Sequence, residues 1–308
     1  MINVSISKEQ GSHVEQFIEY LSKVRNLSEN TLRSYQTDLL AFEQWCSREG
    51  VEVTKVDHRN LRLYLAYLKQ AQYSAKTLNR HLSALRGFYK WMQREKLIAT
   101  DPALALSNPR APRNLPHTMT DSDVNRLLES CDTSTAVGLR DRAFLEFLYA
   151  TGARISEVAT LKLEQIDLQN GTVRLFGKGS KERIVPLYES AIERLKKYLR
   201  SSRPTLLLKD KTGRAHSALF ISVRGNTMSA DSLRKVFSSY LTAVGLDSSL
   251  SPHAMRHTYA TELLGGGADL RVVQELLGHE SLSTTQMYTH LSVDRLKEAA
   301  KAAHPRSK

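Results

Sequence analysis

A basic pair, a further histidine and a tyrosine near the carboxyl end of the chain have the types and order that phosphoryl transfer through a tyrosine requires. His253 and Arg256 are three positions apart and directly follow Pro252, which favours the first turn of a helix. That spacing places both side chains on one helical face, so we expect them to point at one ligand. Further along, His279 follows a glycine at a predicted helix end, and Tyr288 comes nine positions later.

Arg154 is a second candidate phosphate ligand. Gly152 interrupts an apolar helical run, so we expect Arg154 to stand at the start of the next helix, where anions are attracted. Arginine stays protonated and donates two parallel hydrogen bonds to a phosphate, which lysine cannot match. A His/Arg cluster near a tyrosine indicates DNA strand cleavage, because preorganised donors stabilise the charge on a phosphodiester in its transition state.

Five motifs in this order resemble the tyrosine recombinase (phage integrase) family, most closely its Xer branch, over nearly the whole chain. They are Ala-Thr-Gly-Ala-Arg-Ile-Ser-Glu at 150–157, Gly-Lys-Gly at 177–179, His-x-x-Arg at 253–256, Leu-Gly-His at 277–279 and Thr-Gln-Met-Tyr-Thr-His at 285–290. The resemblance implies a DNA strand transferase that forms a 3′-phosphotyrosine intermediate and needs no metal or nucleotide cofactor. Two departures from the family pattern, Ala153 for a common leucine and Met287 for a common isoleucine, touch no reacting group.

The resemblance also implies which residues are catalytic. By this likeness Tyr288 is the nucleophile and Lys178 is the general acid, while two arginines clamp the scissile phosphate and two histidines assist by proton transfer and hydrogen bonding. The predicted catalytic set is Arg154, Lys178, His253, Arg256, His279 and Tyr288.

The chemistry of these side chains agrees with those roles. A free tyrosine has a pKa of about 10, so it must lose its proton during attack or be ionised by nearby cations. The leaving 5′ hydroxyl needs a proton, which a lysine supplies if positive neighbours and desolvation lower its pKa. The alternating segments 172–176 and 182–186 predict a β-hairpin with Lys178 at its tip.

These residues also have non-catalytic interpretations. A lone tyrosine near a C-terminus is usually a packing residue, and the other motifs reverse that expectation. His253 and His257 could be a zinc pair, but Ala254 stands where the metalloprotease pattern needs glutamate, so no metal is predicted. Gly265-Gly266-Gly267 could be a phosphate-binding loop, but the lysine that such a loop requires is absent. We therefore predict that these glycines end a helix.

Composition favours a polyanionic partner. The chain has 44 Lys and Arg against 32 Asp and Glu, a net charge of +12. These charges are spread along the sequence, and we find neither an apolar run of about 18 residues nor a signal peptide, so a cytoplasmic protein without a membrane partner is expected. Cys46 and Cys131 have apolar neighbours and are predicted to be reduced packing residues.

The fold class predicted is mainly α with a small β-sheet (α+β), in two domains. Residues 1–105 predict a four-helix core DNA-binding domain, 106–118 a proline-rich linker, and 119–308 a catalytic domain with a C-terminal tail helix. Ser28 and Ser74 are predicted helix caps, and Thr120 with Asp123 resembles a capping box.

Two surfaces are predicted to make contacts. One face of the fourth helix carries Lys76, Arg80, Arg86 and Lys90, which could follow a phosphate backbone or simply be solvated. After Ser292, a last helix has an apolar stripe that must be covered. The resemblance implies that it docks on a neighbouring protomer in the assembled complex; packing on its own domain is the alternative.

These observations predict a site-specific recombinase acting on a double-stranded DNA recombination site. The resemblance implies that the protein, alone or with a paralogous recombinase, forms a tetramer on two sites and resolves chromosome or plasmid dimers, with a DNA translocase as a further partner. The alternatives are an integrase or transposase of a mobile element, a type IB topoisomerase, and a catalytically idle DNA-binding accessory protein.

The Tyr288→Phe variant tests the predicted nucleophile. We expect it to lose DNA cleavage and to keep DNA binding nearly intact, because the change removes the nucleophilic oxygen and leaves the ring. The measurement is the covalent protein–DNA band formed on a suicide substrate in a denaturing gel. A covalent band formed by the variant would assign the nucleophile to another residue.

Overall fold

The computed structural model describes residues 12–25, 27, 29–106, 118–177, 182–211, 217–278 and 293–307. The chain divides into two compact units, Met1–Asn114 and Leu115–Lys308. The described parts of both units are mainly helical, and the second contains a small sheet, so the predicted fold class is confirmed. The predicted linker limits stay a prediction, because residues 107–117 lie outside the described residues.

The described part of the first unit contains four α-helices: α1 (His13–Lys23), α2 (Glu29–Arg48), α3 (His58–Gln70) and α4 (Ala75–Arg94). The helices predicted from apolar periodicity are thereby confirmed. Ser12, Asp57 and Ser74 cap α1, α3 and α4 by accepting hydrogen bonds from backbone N–H groups of the first turn. The predicted cap at Ser28 lies outside the described residues.

Aromatic side chains fill the core of the first unit. Phe17 of α1 packs against Phe88 and Trp91 of α4, with ring centroids 5.5 Å apart in each pair, and each such pair stabilises a fold by about 1 kcal/mol beyond its buried area. Cys46 is buried here and Cys131 is buried in the second unit, both as free thiols. The prediction that they are packing residues is confirmed.

The basic face of α4 differs from the prediction. Lys76 and Lys90 are exposed. Arg80, however, donates two 2.8 Å hydrogen bonds to the buried carboxylate of Asp38, and Arg86 donates to a backbone carbonyl. Two of the four predicted phosphate-following side chains therefore have partners within the fold, because a neighbouring helix and the chain after α4 supply acceptors that the sequence pattern does not reveal.

The second unit begins with α5 (Asp121–Glu129), α6 (Ala136–Thr151) and α7 (Ile155–Thr160). Thr120 and Asp123 form the predicted capping box of α5: each accepts a hydrogen bond from the backbone N–H of the other, at 3.0 and 3.1 Å. Helix α6 is buried around nearly its whole circumference, so it forms the centre of this unit and fixes the positions of the elements around it.

The small sheet is antiparallel, with strands β1 (Ile166–Asp167), β2 (Thr172–Phe176) and β3 (Glu182–Pro186) in that order. Val173 pairs with Val185 and Phe176 with Glu182. Strands β2 and β3 are the two arms of the predicted hairpin, which are confirmed. The predicted tip with Lys178 lies outside the described residues.

The remaining helices complete the core of the second unit. They are α8 (Glu189–Lys197), a π-helical turn (Tyr198–Ser202), α9 (Arg203–Leu207), α10 (Ala230–Ala243), α11 (Pro252–Gly265), α12 (Leu270–Leu277) and α13 (Val293–Ala303). Helix α11 ends at Gly265 with Gly266 as its C-cap, so the predicted helix stop is confirmed.

The C-terminal helix α13 packs on its own unit. Leu296 and Ala303 are buried in the core of the second unit, and α13 contacts β3, α11 and α12. Beyond it, Arg306 Nη1 lies 3.4 Å from Oε1 of the buried Glu146. In this single chain the stripe is covered in cis, which differs from the predicted docking on a neighbouring protomer. Periodicity reveals an apolar stripe but not the surface that covers it.

The residue after α13, His304, fills a socket made of three tyrosine rings. The His304 ring centroid lies 4.9 Å from that of Tyr149, 4.7 Å from Tyr188 and 5.7 Å from Tyr259. We call these three tyrosines the tail socket. His304 is 2% exposed, and burial lowers its pKa to about 4. The neutral imidazole is therefore the form that docks.

Acid should loosen the tail. A histidine whose folded-state pKa lies below its unfolded value near 6.5 contributes full stability above that value and loses it as pH falls towards the folded pKa. Between pH 7 and pH 5 the free energy of unfolding of the wild type should fall by about 2 kcal/mol relative to His304→Gln. Urea unfolding at each pH measures this difference.

The matched control is His257→Gln, because His257 is an exposed histidine of the same unit. It should track the wild type across the pH range. If the wild type and His304→Gln lose stability in parallel, His304 is not the group that responds.

Candidate active site

Arg154 stands where the sequence predicts, at the start of α7. Gly152 ends α6 in the left-handed conformation, with φ of 55°, and a Cβ there would lie 2.5 Å from Cδ1 of Tyr259. The chain therefore turns sharply, and Arg154 becomes the N-cap residue of α7. Its backbone N–H donates to Glu157 Oε2 at 2.7 Å and its Nη1 to Oε1 at 3.0 Å.

His253 and Arg256 lie in the first turns of α11, which has Pro252 in its first turn. Arg256 is 6% exposed, whereas His253 is exposed. Arg256 donates from Nη1 to the carbonyl of Gly152 at 2.6 Å and from Nη2 to the carbonyl of Leu277 at 2.5 Å. The side chain of Arg256 thus reaches both the turn before Arg154 and the end of α12.

A third arginine completes the group. Arg183 of β3 donates to both carboxylate oxygens of Glu157, at 2.8 and 2.7 Å, and from Nε to the carbonyl of Leu276 at 2.8 Å. Arg154 Nη2 donates to the carbonyl of Gly278 at 3.1 Å. We call Arg154, Arg183 and Arg256 the arginine cluster.

The arginine cluster converges on one helix end. The carbonyls of Leu276, Leu277 and Gly278, at the C-terminus of α12, each accept a hydrogen bond from a different member of the cluster. Carbonyls in the last turn of a helix lack partners within the helix and carry its partial negative charge, so cations are favoured there. The end of α12 therefore holds three guanidinium groups close together.

The cluster has more positive charge than its partner can neutralise. Burial would raise the pKa of Glu157, but hydrogen bonds and charge from Arg183 and Arg154 hold it below its usual range. Burial and the charges of Arg154 and Arg183 lower the pKa of Arg256 to about 10, which leaves it protonated at neutral pH. Among the described residues, Glu157 is the carboxylate that forms ion pairs with these cations. The three arginines and Glu157 together carry a net charge of +2, which favours binding of an anion.

Access to the cluster is through Arg154. Its side chain is 35% exposed, whereas those of Arg183 and Glu157 are 7% and 4% exposed. Guanidinium groups that are already oriented when an anion arrives need little reorganisation, which is the condition for stabilising charge in a transition state. The arrangement suits a phosphodiester better than a metal, since arginine donates hydrogen bonds and has no lone pair to offer a cation.

Half of the predicted catalytic set lies in the described residues. The structure brings Arg154 and Arg256 together and places His253 one turn before Arg256 on α11. Lys178, His279 and Tyr288 lie outside the described residues, but their flanking elements are described: β2 and β3 on either side of residues 178–181, and α12 and α13 on either side of 279–292.

Sequence reasoning assigned no role to Glu157 or Arg183. One signal was available for Arg183. Arg183 lies two residues before Val185 in the alternating strand β3. Both side chains are therefore on the same face of the strand, which is the buried one. An arginine on the buried face of a strand requires a carboxylate partner nearby. Glu157, three residues after Arg154, offered no comparable signal because that spacing also fits an ordinary exposed helix pair.

Comparison with known proteins agrees with this geometry. Residues 117–295 match the model of the phage integrase family, and residues 14–96 match the phage integrase N-terminal SAM-like domain. The chain belongs to the phage integrase family, the tyrosine recombinases, which are DNA strand transferases that cleave and rejoin DNA.

Relatives about 40% identical to this chain include Xer recombinases. The chain is 41% identical over 302 residues to tyrosine recombinase XerC of Pelotomaculum thermopropionicum, covering 96% of this chain and 99% of that protein. It is 42% identical over 293 residues to tyrosine recombinase XerD of Pseudomonas putida, covering 95% and 97%. The protein is therefore a Xer-like site-specific recombinase.

Solved structures share the fold. XerH site-specific recombinase bound to its palindromic difH substrate in a post-cleavage complex superposes with a TM-score of 0.69 at 29% identity, covering 94% of this chain and 84% of that one. The Tn1549 transposon integrase in complex with circular intermediate DNA has a TM-score of 0.68 at 18% identity, covering 94% and 98%, which is a likeness of fold alone.

No described helix is long and apolar enough to cross a bilayer. Within the described ranges, no group of three or more His, Cys, Asp or Glu side chains could hold a metal ion.

Sulfate should bind the arginine cluster and stabilise the fold. At ten times its dissociation constant it should add about 1.4 kcal/mol of stability, which raises the melting temperature by about 3–6 °C. Arg154→Gln should lose most of this shift, because Arg154 is the exposed member of the cluster. Calorimetry in sodium sulfate, against sodium chloride of equal ionic strength, measures it.

Arg234→Gln is the control for this measurement, since Arg234 is a half-exposed arginine on α10 that pairs with Asp231. It should keep the full sulfate shift. Equal shifts in both variants would place the sulfate elsewhere on the protein.

Proposed function

We propose that Arg154 and Arg256 of the arginine cluster bind the scissile phosphate and that the predicted set of six residues carries out the cleavage. The observation that carries this proposal is the convergence of three guanidinium groups on the end of α12, one residue before His279. Arg154 and Arg256 are the two arginines of the set, and they bind the non-bridging oxygens. His253 and His279 assist by hydrogen bonding and proton transfer.

The reaction conserves the energy of the phosphodiester bond. The Tyr288 oxygen attacks phosphorus and loses its proton, a bond forms between them, and the bond to the 5′ oxygen breaks. Lys178 gives that oxygen a proton, so the products are a 3′-phosphotyrosine and a free 5′ hydroxyl. Attack by a 5′ hydroxyl from a second strand reverses these steps and rejoins the DNA. Positioning and charge stabilisation supply the catalysis.

The relatives support a particular arrangement on DNA. The matched XerH structure is bound to a palindromic site, and a palindrome is matched by two protomers related by a twofold axis. We propose that residues 1–105 form a core DNA-binding domain and residues 119–308 the catalytic domain, joined by a linker at 106–118, and that four protomers, of one kind or with a paralogue, join two sites. Resolution of chromosome or plasmid dimers in the cytoplasm, with a DNA translocase as activator, is the proposed biological role.

The proposal requires a defined DNA site. DNA crosslinked to the protein in cells, recovered and sequenced, should converge on a short sequence with two inverted half-sites. Many unrelated sites, with relaxation of plasmids that lack any common sequence, would favour a topoisomerase of type IB. A site at the ends of one mobile element would favour an integrase or transposase. Binding without any covalent adduct would favour an accessory protein.

Arg154→Lys and Arg256→Lys test the phosphate clamp. Each should slow cleavage by about 10²–10³-fold, which corresponds to about 3 kcal/mol of transition-state stabilisation, because a lysine keeps the charge and loses the two-pronged hydrogen bond. The affinity for the site should change much less. Single-turnover cleavage of a nicked substrate built from the recovered site measures the rate. Variants that cleave at near the wild-type rate would remove these residues from the clamp.

A further inference from the structure

Arg183 joins three segments that each adjoin a predicted catalytic residue. It belongs to β3, which begins directly after residues 178–181. It donates two hydrogen bonds to Glu157 of α7, the helix that has Arg154 as its N-cap. It donates a third to the carbonyl of Leu276, three residues before His279. No other described guanidinium contacts all three segments.

The contact with Glu157 depends on the shape of the guanidinium group. Nη1 and Nη2 of Arg183 donate parallel hydrogen bonds to the two carboxylate oxygens of Glu157, while Nε donates to the carbonyl of Leu276 at the end of α12. This fork fixes both the position and the rotation of the carboxylate, which a lysine cannot do with a single charged nitrogen. Glu157 in turn accepts hydrogen bonds from the backbone N–H and Nη1 of Arg154, so the orientation passes from Arg183 to Arg154.

The end of α12 is shaped to admit Arg183. Gly278 ends the helix with φ of 63°, a left-handed conformation that favours glycine. A Cβ at that position would lie 3.2 Å from Cδ and from Nη1 of Arg183. The close approach of the arginine and the sharp turn before His279 are therefore parts of the same arrangement.

We infer that Arg183 is a positioning residue for strand cleavage: it orients Arg154 through Glu157 and fixes the last turn of α12, without itself touching the reacting phosphate. This inference rests on the proposed function of the arginine cluster. Arg183 is 8% exposed and its donors are directed at protein acceptors, whereas Arg154 keeps an open edge. A displacement of catalytic groups by about 1 Å costs about 10²-fold in rate, so the orientation has a measurable effect.

A purely structural role is the competing explanation, and Arg140 provides the matched control. Arg140 of α6 is 4% exposed. It also meets a buried carboxylate, with Nε and Nη2 at 2.8 and 2.7 Å from Asp141 Oδ1, and it donates to the carbonyl of Ile221 at 3.2 Å. It therefore resembles Arg183 in burial and partners but contacts none of the segments next to the predicted catalytic residues.

The first experiment compares Arg183→Lys with Arg140→Lys. Both should weaken the fold, and both are assayed below the melting temperature of the weaker variant. We expect Arg183→Lys to lower the single-turnover cleavage rate about 10²-fold at saturating protein, with affinity for the DNA site within about threefold of the wild type. Arg140→Lys should cleave within about threefold of the wild-type rate. Equal rates for the two variants would overturn the inference.

A double variant covers the case in which Arg183→Lys fails to fold. Arg183→Met combined with Glu157→Gln removes both charges of the buried pair and leaves the net charge of the group unchanged, and the Gln retains an acceptor for the N–H of Arg154, so the fold should be retained. Cleavage should still be slow, because the fork that orients Arg154 is absent. A folded double variant with the wild-type cleavage rate would contradict the positioning role.

The second experiment separates positioning from stability. If Arg183 acts through Arg154, the effects of Arg183→Lys and Arg154→Lys on the cleavage rate should overlap, and the double variant should be no more than about tenfold slower than Arg154→Lys alone. The control pair, Arg140→Lys with Arg154→Lys, should show independent effects. Fully multiplicative losses for the first pair would overturn the inference.

The two proposals fail in different ways. If the wild type forms no covalent adduct on its recovered site, the proposed function fails and the comparison of variants has no baseline. If the wild type cleaves and Arg154→Lys is slow, the proposed function holds, and the rate of Arg183→Lys then decides the role of Arg183 alone.

Discussion

The C-terminus of α12 is the constraint on which the rest of the catalytic unit depends. Three successive carbonyls there would lack partners within the helix, and each is satisfied by a guanidinium from a different element: α7, α11 and β3. Helix dipole and hydrogen bonding act in the same direction, so three like charges can lie side by side. The sharp turn at Gly152 that leads into α7, helix α11 and strand β3 each bring one arginine to this point.

The same arrangement leaves the site with unbalanced charge. Glu157 neutralises one of three cations, and burial with like charges lowers the pKa of Arg256 to about 10. Buried charge without a counter-charge is costly. The site therefore stays in a state that becomes more stable when a phosphate binds. An enzyme gains from such a state, because interactions that become stronger as negative charge develops on the phosphate lower the barrier to reaction.

How far the sequence predicts this structure depends on whether the signal is local. A few neighbouring residues predict the helix caps at Ser74 and Thr120, the helix stop after α11, the hairpin strands and the position of Arg154. The partners of Arg80, Arg86 and Arg183 come from distant parts of the chain, and periodicity does not report which carboxylate or carbonyl meets a given arginine. The roles of Lys178, His279 and Tyr288 came from family resemblance, because pattern alone does not distinguish a reacting lysine or tyrosine from a packed or solvated one.

The tail socket has a consequence for the solution behaviour of the chain. When His304 and the end of α13 leave it, the faces of Tyr149, Tyr188 and Tyr259 meet water, together with the Glu146 carboxylate that Arg306 had approached. Every copy of the chain carries both this surface and the segment that fits it. That is the condition for domain swapping, in which two copies exchange an identical segment. Conditions that undock the tail therefore expose a surface that fits the same segment of a second copy.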